Sequence, residues 1–325
     1  MTQMTMVEAI CDALYIALKQ DPSVLVLGED VGKNGGVFRA TEGLWEKFGD
    51  HRVIDTPLAE AAIVGSSIGL CINGFKPVAE IQFMSFIYPA FEQVVSHLAR
   101  FRTRTQGRYA LSLVIRVPVG GGVAAPELHS DSTESLFAHI PGLKVVMPST
   151  PVDAKGMLLA AIAEPNPVLF LEPIKMYRWT REFVPEESYQ IPLGKARIIK
   201  AGKDLTLITW GSMTPIVEKA AALIEESGKS CEVIDLRSIS PLDMNTLLRS
   251  IKKTGRAVIV HEAPRTCGFG AELSAILQEN LFFYLHAPIL RVTGLDVPVP
   301  MSALEQYFLP SVERVVEVAW KALRF

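Results

Sequence analysis

Short runs rich in valine, isoleucine and leucine recur along the chain, and between them apolar residues return every three or four positions. The runs at 24–27, 53–55, 78–81, 113–117, 144–147 and 168–171 are apolar at consecutive rather than alternate positions. Continuous apolar character marks strands covered on both faces, so the pattern predicts a parallel sheet sandwiched by helices. Helical spacing predicts helices over 57–72, 88–105 and 151–163 between these strands. From 173 to 203 the pattern lapses into a polar stretch holding Pro185 and Pro192. A second series follows, with strands at 205–209, 232–236, 257–261 and 289–292 and helices at 214–226, 243–252, 271–282 and 311–322. The predicted fold class is α/β with two doubly wound domains, at 1–180 and 204–325, joined by a linker at 181–203. Thr5 and Glu8 form the box that opens a further helix running to about Lys19.

Composition narrows the function classes. At 325 residues two domains are favoured over one. The 32 basic and 35 acidic residues nearly cancel, and no basic stripe interleaved with aromatics offers a nucleic-acid surface. No apolar run approaches the roughly 20 residues of a membrane span. The N-terminus lacks the basic head and apolar run of a signal peptide. Cys11, Cys71, Cys231 and Cys267 form no Cys-x-x-Cys pair, which disfavours metal clusters and redox dithiols. A soluble protein of the reduced cytoplasm is expected. No P-loop, strand-borne G-x-G-x-x-G, H-E-x-x-H helix or G-x-S-x-G elbow is present.

Three stretches remain to be explained. In Asp55-Thr-Pro-Leu-Ala-Glu60, Thr56 is placed to cap a helix with Pro57 at its first position and Glu60 in its first turn. Local sequence leaves Glu60 open between a surface carboxylate favouring the helix dipole and a site residue. Ala62, Gly65 and Gly69 put small residues on one face of that helix, suited to an internal contact or to a subunit interface. The second stretch, Pro118-Val-Gly-Gly-Gly122 through His129-Ser-Asp-Ser132, is a mobile or tightly turned loop at a strand's carboxyl end, where α/β folds place their sites. His129 is its one histidine, structural or functional. In the third, Glu80-Ile-Gln82-Phe83-Met-Ser-Phe86, aromatic density reads as core, while Gln82 at a strand end is within reach of a ligand.

Taken with Leu27-Gly-Glu-Asp-Val-Gly32, Gly35-Gly-Val-Phe38, Gly142-Leu-Lys-Val-Val146 and Arg291-Val-Thr-Gly294, these strings in this order resemble the beta subunits of the decarboxylating component of 2-oxo acid dehydrogenase complexes. The resemblance spans nearly the whole chain. It implies a transketolase-like fold, with a pyrimidine-binding domain followed by a transketolase C-terminal domain. It also implies thiamine diphosphate bound between subunits. The magnesium-diphosphate end belongs to an alpha subunit carrying a Gly-Asp-Gly motif, which this chain lacks; Gly49-Asp50 is followed by His51. An α2β2 heterotetramer is therefore implied, inert without its alpha chains, and passing its acyl group to the lipoyl domain of a dihydrolipoyl acyltransferase whose subunit-binding domain docks on the beta C-terminal domain.

By the same match, Glu60 is the carboxylate that bonds a pyrimidine ring nitrogen and favours the imino tautomer, whose nitrogen takes the thiazolium proton. His129 is the active-site histidine that steadies the decarboxylated intermediate or helps its transfer to the lipoyl group. Leu58, Gln82 and Phe86 line the pyrimidine, with Phe86 standing where relatives often carry tyrosine. A structural potassium ion is implied at the carbonyls of Leu111, Leu113, Val114, Ala161, Glu164 and Asn166, with Pro165 departing from the usual pattern. For substrate, Pro126-Glu-Leu-His129 resembles pyruvate-type members. Pro89-Ala-Phe-Glu-Gln93 and His261-Glu-Ala-Pro264 resemble branched-chain ones, toward which the sequence leans. A split transketolase-type ligase and a scaffold that only organises partners are the other readings.

Overall fold

Strands of the first half are β1 (Thr2–Met4), β2 (Val24–Gly28), β3 (Val53–Asp55), β4 (Lys76–Glu80), β5 (Val114–Val119), β6 (Lys144–Val146), β7 (Val168–Pro173) and β8 (Glu182–Val184). Six of them lie in the order β6-β7-β5-β4-β2-β3, every neighbouring pair parallel. β1 and β8 form a separate antiparallel pair. In this computed structural model, residues 1–301 and 303–325 are described. They divide into two units: 1–119 with 136–193, and 120–135 with 194–325. Among the described residues no helix is long and apolar enough to cross a membrane.

β2, β5 and β7 are buried along their whole length, Arg116 of β5 and Glu172 of β7 included. The helix Met6–Gln20 opens on the expected capping box, Thr5 Oγ1 accepting from Glu8 N–H while the Glu8 carboxylate accepts from Thr5 N–H. Its inner face, Met6, Ile10 and Leu14, shares a core with Val26, Val78 and Phe170 and with Met157 and Leu158 of the helix Pro151–Ala163.

The second unit contains β9 (Arg197–Lys200), β10 (Leu205–Thr209), β11 (Cys231–Asp235), β12 (Ser238–Ser240), β13 (Ala257–Pro264) and β14 (Leu290–Gly294). Five strands form a sheet in the order β14-β13-β10-β11-β9, antiparallel only at the β9 edge. The helices Thr214–Glu226 and Val312–Leu323 bury Val217, Ala221, Val315 and Ala319 against Leu205, Leu207, Val258 and Val260.

Three expectations are revised. The helix placed at 57–72 begins only at Glu60; Thr56 N–H instead donates to the Gly28 carbonyl at 2.9 Å, and the true cap, Ala59, makes no side-chain bond. The helix placed at 88–105 is three pieces: a tight 3-10 stretch Met84–Ala90 around Pro89, wide turns at Gln93–Leu98, and a regular helix Ala99–Arg104. Pro89 has no N–H to give an α-helix, which disturbs the ladder there. Finally, the polar stretch 181–203 is structured, holding β8 and β9. Tyr189 donates to the Val152 carbonyl at 2.7 Å and Ile191 N–H to the Gly156 carbonyl at 3.0 Å. A β-carbon on Gly156 would lie 2.5 Å from the Tyr189 ring, so only glycine lets this segment lie against the helix.

Candidate active site

The first unit gathers the loops that follow β2, β3 and β4 at one edge of its sheet, the carboxyl edge where parallel α/β folds place ligands. Asp55, last in β3, accepts from Gly32 N–H at 2.6 Å and Lys33 N–H at 3.2 Å, tying the loop after β2 to the strand beside it. Glu60 stands at the start of the helix Glu60–Ile72 and is only 9% exposed. It places an acidic side chain in the first turn of that helix, where the helix dipole is positive. Glu29, on the loop after β2, is equally buried. Burial and then the nearby Glu60 charge push its carboxyl above the usual range.

Gln82 and Phe86 follow β4 and are half-buried, whereas Leu58 is 79% exposed in this chain. Phe86 packs edge-on against Phe83 with ring centroids 5.4 Å apart, and Phe83 against Phe38 at 5.4 Å. The segment carrying Phe86 packs against the helix that Glu60 begins. A buried carboxylate opening a helix that packs against an aromatic segment suits an aminopyrimidine, which offers ring nitrogens and a flat apolar body. The first unit therefore fits the pyrimidine end of thiamine diphosphate.

Beneath this edge lies a fully buried charge cluster. Arg116 Nη1 meets Glu80 Oε2 at 2.7 Å, and Nε and Nη2 meet the two oxygens of Glu172 at 2.7 and 3.0 Å. The Tyr177 hydroxyl donates to Glu172. Burial raises the Glu80 carboxyl and, with the Glu172 charge, the Tyr177 hydroxyl, while the carboxylates hold Arg116 firmly protonated. Glu80 ends β4, two residues before Gln82.

His129 belongs to the second unit, within the segment 120–135 that leaves β5. The loop is tightly turned: Gly120 N–H donates to the Asp131 carbonyl at 3.0 Å, and His129 N–H to that of Pro126 at 2.9 Å. At its far end Glu134 is 1% exposed and accepts from the Trp210 indole N–H at 3.2 Å. Trp210 in turn stacks on His261 at 5.2 Å. Burial pushes the Glu134 carboxyl up to about 7, the Glu262 charge adding to the rise. Because the fold binds this proton more tightly than the unfolded chain, its stabilising effect is complete below about pH 4.5 and is lost as pH rises toward 7. Glu134→Gln keeps the oxygen that Trp210 needs and has no charge to bury. Urea titrations should show the variant losing about 2–3 kcal/mol less than wild type between pH 5 and 8. Parallel pH profiles for the two proteins would refute this.

Of the carbonyls expected to hold potassium, that of Leu113 accepts from Val168 N–H at 2.9 Å and that of Ala161 from Glu164 N–H at 3.2 Å. The side chains there are engaged elsewhere: Glu164 pairs with Lys144 at 2.7 Å, and Asn166 Oδ1 accepts from Arg102 at 2.5 Å. What these residues offer an ion is carbonyl oxygen alone, a donor set for a hard, weakly held cation. Among the described residues no group of three or more His, Cys, Asp or Glu side chains is arranged to hold a metal.

Sequence reasoning did not single out Glu29, although it lies in a string that was read. Nor did it single out Glu262, also inside a string that was read, or find Arg116, Glu134 or Glu305, which become visible only through their buried partners.

Models of known families match both halves: the transketolase pyrimidine-binding domain over residues 2–180 and the transketolase C-terminal domain over 194–315. The beta subunit of the pyruvate dehydrogenase E1 component of Bacillus subtilis (strain 168) is 52% identical over 325 residues, all of both chains. Its counterpart in Acholeplasma laidlawii is 51% identical over 315 residues, 97% of this chain and 96% of that one. A solved split-gene transketolase, described as an inactive beta4 tetramer, superposes with a TM-score of 0.82 over 99% of each chain at 24% identity, a likeness of fold.

Proposed function

Since this chain belongs to the family of transketolase-like beta subunits of the decarboxylating component of 2-oxo acid dehydrogenase complexes, we propose that, with an alpha partner, it decarboxylates pyruvate and passes the acetyl group to a lipoyl-bearing acyltransferase. The observation that carries this is full-length likeness at 52% to a pyruvate dehydrogenase beta subunit. That likeness favours the pyruvate alternative over the branched-chain leaning of the sequence: the strings behind that leaning lie outside the loop of His129, whose Pro126-Glu-Leu-His129 pattern resembles pyruvate-type members.

Thiamine diphosphate, when bound, would supply the acidic thiazolium carbon that serves as nucleophile toward the keto carbon. Glu60 holds a proton-sharing bond to the pyrimidine nitrogen from the start of its helix, in a setting with little water to weaken it. Phe86 and Phe83 present ring faces to the pyrimidine, and Gln82 offers it an amide. Leu58, exposed in the lone chain, completes the apolar wall once the cofactor is seated. His129, an imidazole able both to give and to take a proton, serves transfer to the lipoyl group. Magnesium is held by the alpha chain, which supplies the diphosphate-binding motif, and the assembly is α2β2. A potassium ion would be held by the carbonyls of Leu111, Leu113, Val114, Ala161, Glu164 and Asn166. The four free thiols suit the cytoplasm.

The test is steady-state turnover of the assembled αβ enzyme with pyruvate and with 3-methyl-2-oxobutanoate. A kcat/KM at least about tenfold higher for pyruvate is expected, the scale of a few methyl groups in a fitted pocket. The reverse ratio would return the assignment to branched-chain acids. Turnover of ketose phosphates alone would move it to a ligase.

A further inference from the structure

Three consecutive glycines, Gly120 to Gly122, open the loop that bears His129, and the second unit surrounds them with carboxylates. Glu262, on β13, is 7% exposed and Glu305, at the start of the short helix Glu305–Phe308, is 6% exposed. Glu305 meets the loop with both oxygens, Oε1 accepting from Gly122 N–H at 2.7 Å and Oε2 from Ala124 N–H at 3.1 Å. Glu262 accepts from Gly121 N–H through Oε1, and its other oxygen accepts from the Ser212 hydroxyl. Ser132, on the returning limb of the loop, lies 3.4 Å from the same Glu262 oxygen that meets Gly121.

The glycines are explained by this approach. A β-carbon on Gly120 would stand 2.7 Å from Glu262 Oε1, and one on Gly121 2.8 Å from Glu305 Oε1. Gly120 and Gly122 also adopt φ of +87° and +95°, where side chains are strained. Buried carboxylates require donors, and successive backbone amides turned one way supply them as charge-assisted bonds.

We propose that Glu305 and Glu262 are positioning residues, a pair of buried carboxylates that seat the amides of Gly121, Gly122 and Ala124 and so fix the segment presenting His129. Neither carboxylate touches the reacting atoms in this scheme; they act through the loop. The inference rests on the function proposed above, in which His129 serves acyl transfer, but the seating itself is measurable without it.

The experiment uses the assembled αβ enzyme with Glu305→Ala, Glu305→Gln and His129→Ala, followed by hydrogen exchange of the 120–130 peptide and by separate assays of the two half-reactions. Glu305→Ala should speed exchange at Gly122 and Ala124 by about ten- to a hundredfold, as expected when charge-assisted bonds to a local segment are lost. Glu305→Gln, keeping one acceptor oxygen, should fall between. Transfer to the lipoyl group should slow by about tenfold or more in Glu305→Ala while pyruvate-driven reduction of an artificial acceptor slows less than about threefold, the same split expected for His129→Ala. Unchanged exchange in Glu305→Ala would overturn the proposal, as would faster exchange with both half-reactions at wild-type rates. If Glu305→Ala shows the exchange and kinetic effects but His129→Ala is fully active, the carboxylate seat stands and the role given to the histidine fails.

Discussion

Replacing Glu60 by glutamine should cost the assembled enzyme at least about a hundredfold in pyruvate decarboxylation, the scale of losing a positioned acid–base group. Glutamine keeps the size of the side chain at the start of its helix, so the fold should persist. It cannot, however, share a proton with a pyrimidine nitrogen as a carboxylate does. Glu29 sits close enough for the Glu60 charge to raise its carboxyl, so removing that charge should let Glu29 ionise more readily. Decarboxylation is read from 2-oxo acid-dependent reduction of an artificial acceptor, with cofactor affinity measured in parallel by quenching of protein fluorescence. A variant within threefold of wild type would remove Glu60 from the chemistry and favour the scaffold reading. A loss confined to weaker cofactor binding would make it an anchor only.

The largest effect on stability is expected at Arg116. Its guanidinium is 1% exposed and answers two buried carboxylates at once. Arg116→Met leaves Glu80 and Glu172 facing each other with no countercharge, and breaking a buried ion pair from one side typically costs about 3–5 kcal/mol. Adding Glu80→Gln and Glu172→Gln to the same chain should recover part of the loss, because the stranded charges are then gone. Denaturant unfolding of the single and triple variants checks both statements. A single variant within about 1 kcal/mol of wild type would show that water reaches the cluster. Glu80 lies next to the segment of Gln82 and Phe86, so the single variant should also weaken cofactor binding.

How much of this could be read from residues alone depended on how local each determinant was. Strand β10 and the helices Pro151–Ala163 and Thr214–Glu226 fall where periodicity places them, because continuous apolar runs and helical spacing are set by immediate neighbours. The start of the Glu60 helix was misplaced because Thr56 spends its amide on Gly28, a neighbour on the adjacent strand loop. The three-part helix after Met84 was concealed by its apolar content, with Pro89 its one visible breaker. β8 and β9 were hidden because their partners, β1 and β11, lie far along the chain and their own residues are polar. At the candidate site, Glu60, Gln82 and Phe86 were named from family strings, and the structure packs the segment of Phe86 against the helix that Glu60 begins. Arg116, Glu134 and Glu305 were not, because a buried charge is recognised by what surrounds it.

The histidine-bearing segment also has a history on the ribosome. Its glycine amides wait for a carboxylate that lies 183 positions further along. At elongation rates of roughly 5–20 residues per second, about ten to forty seconds separate the emergence of the two. Until then nothing from Glu305 seats the loop, even though the strand it leaves is already made. A nascent or truncated chain ending short of residue 305 therefore carries a histidine without its seat, and proteases that cut unseated loops should nick such chains at the triple glycine while sparing the finished protein.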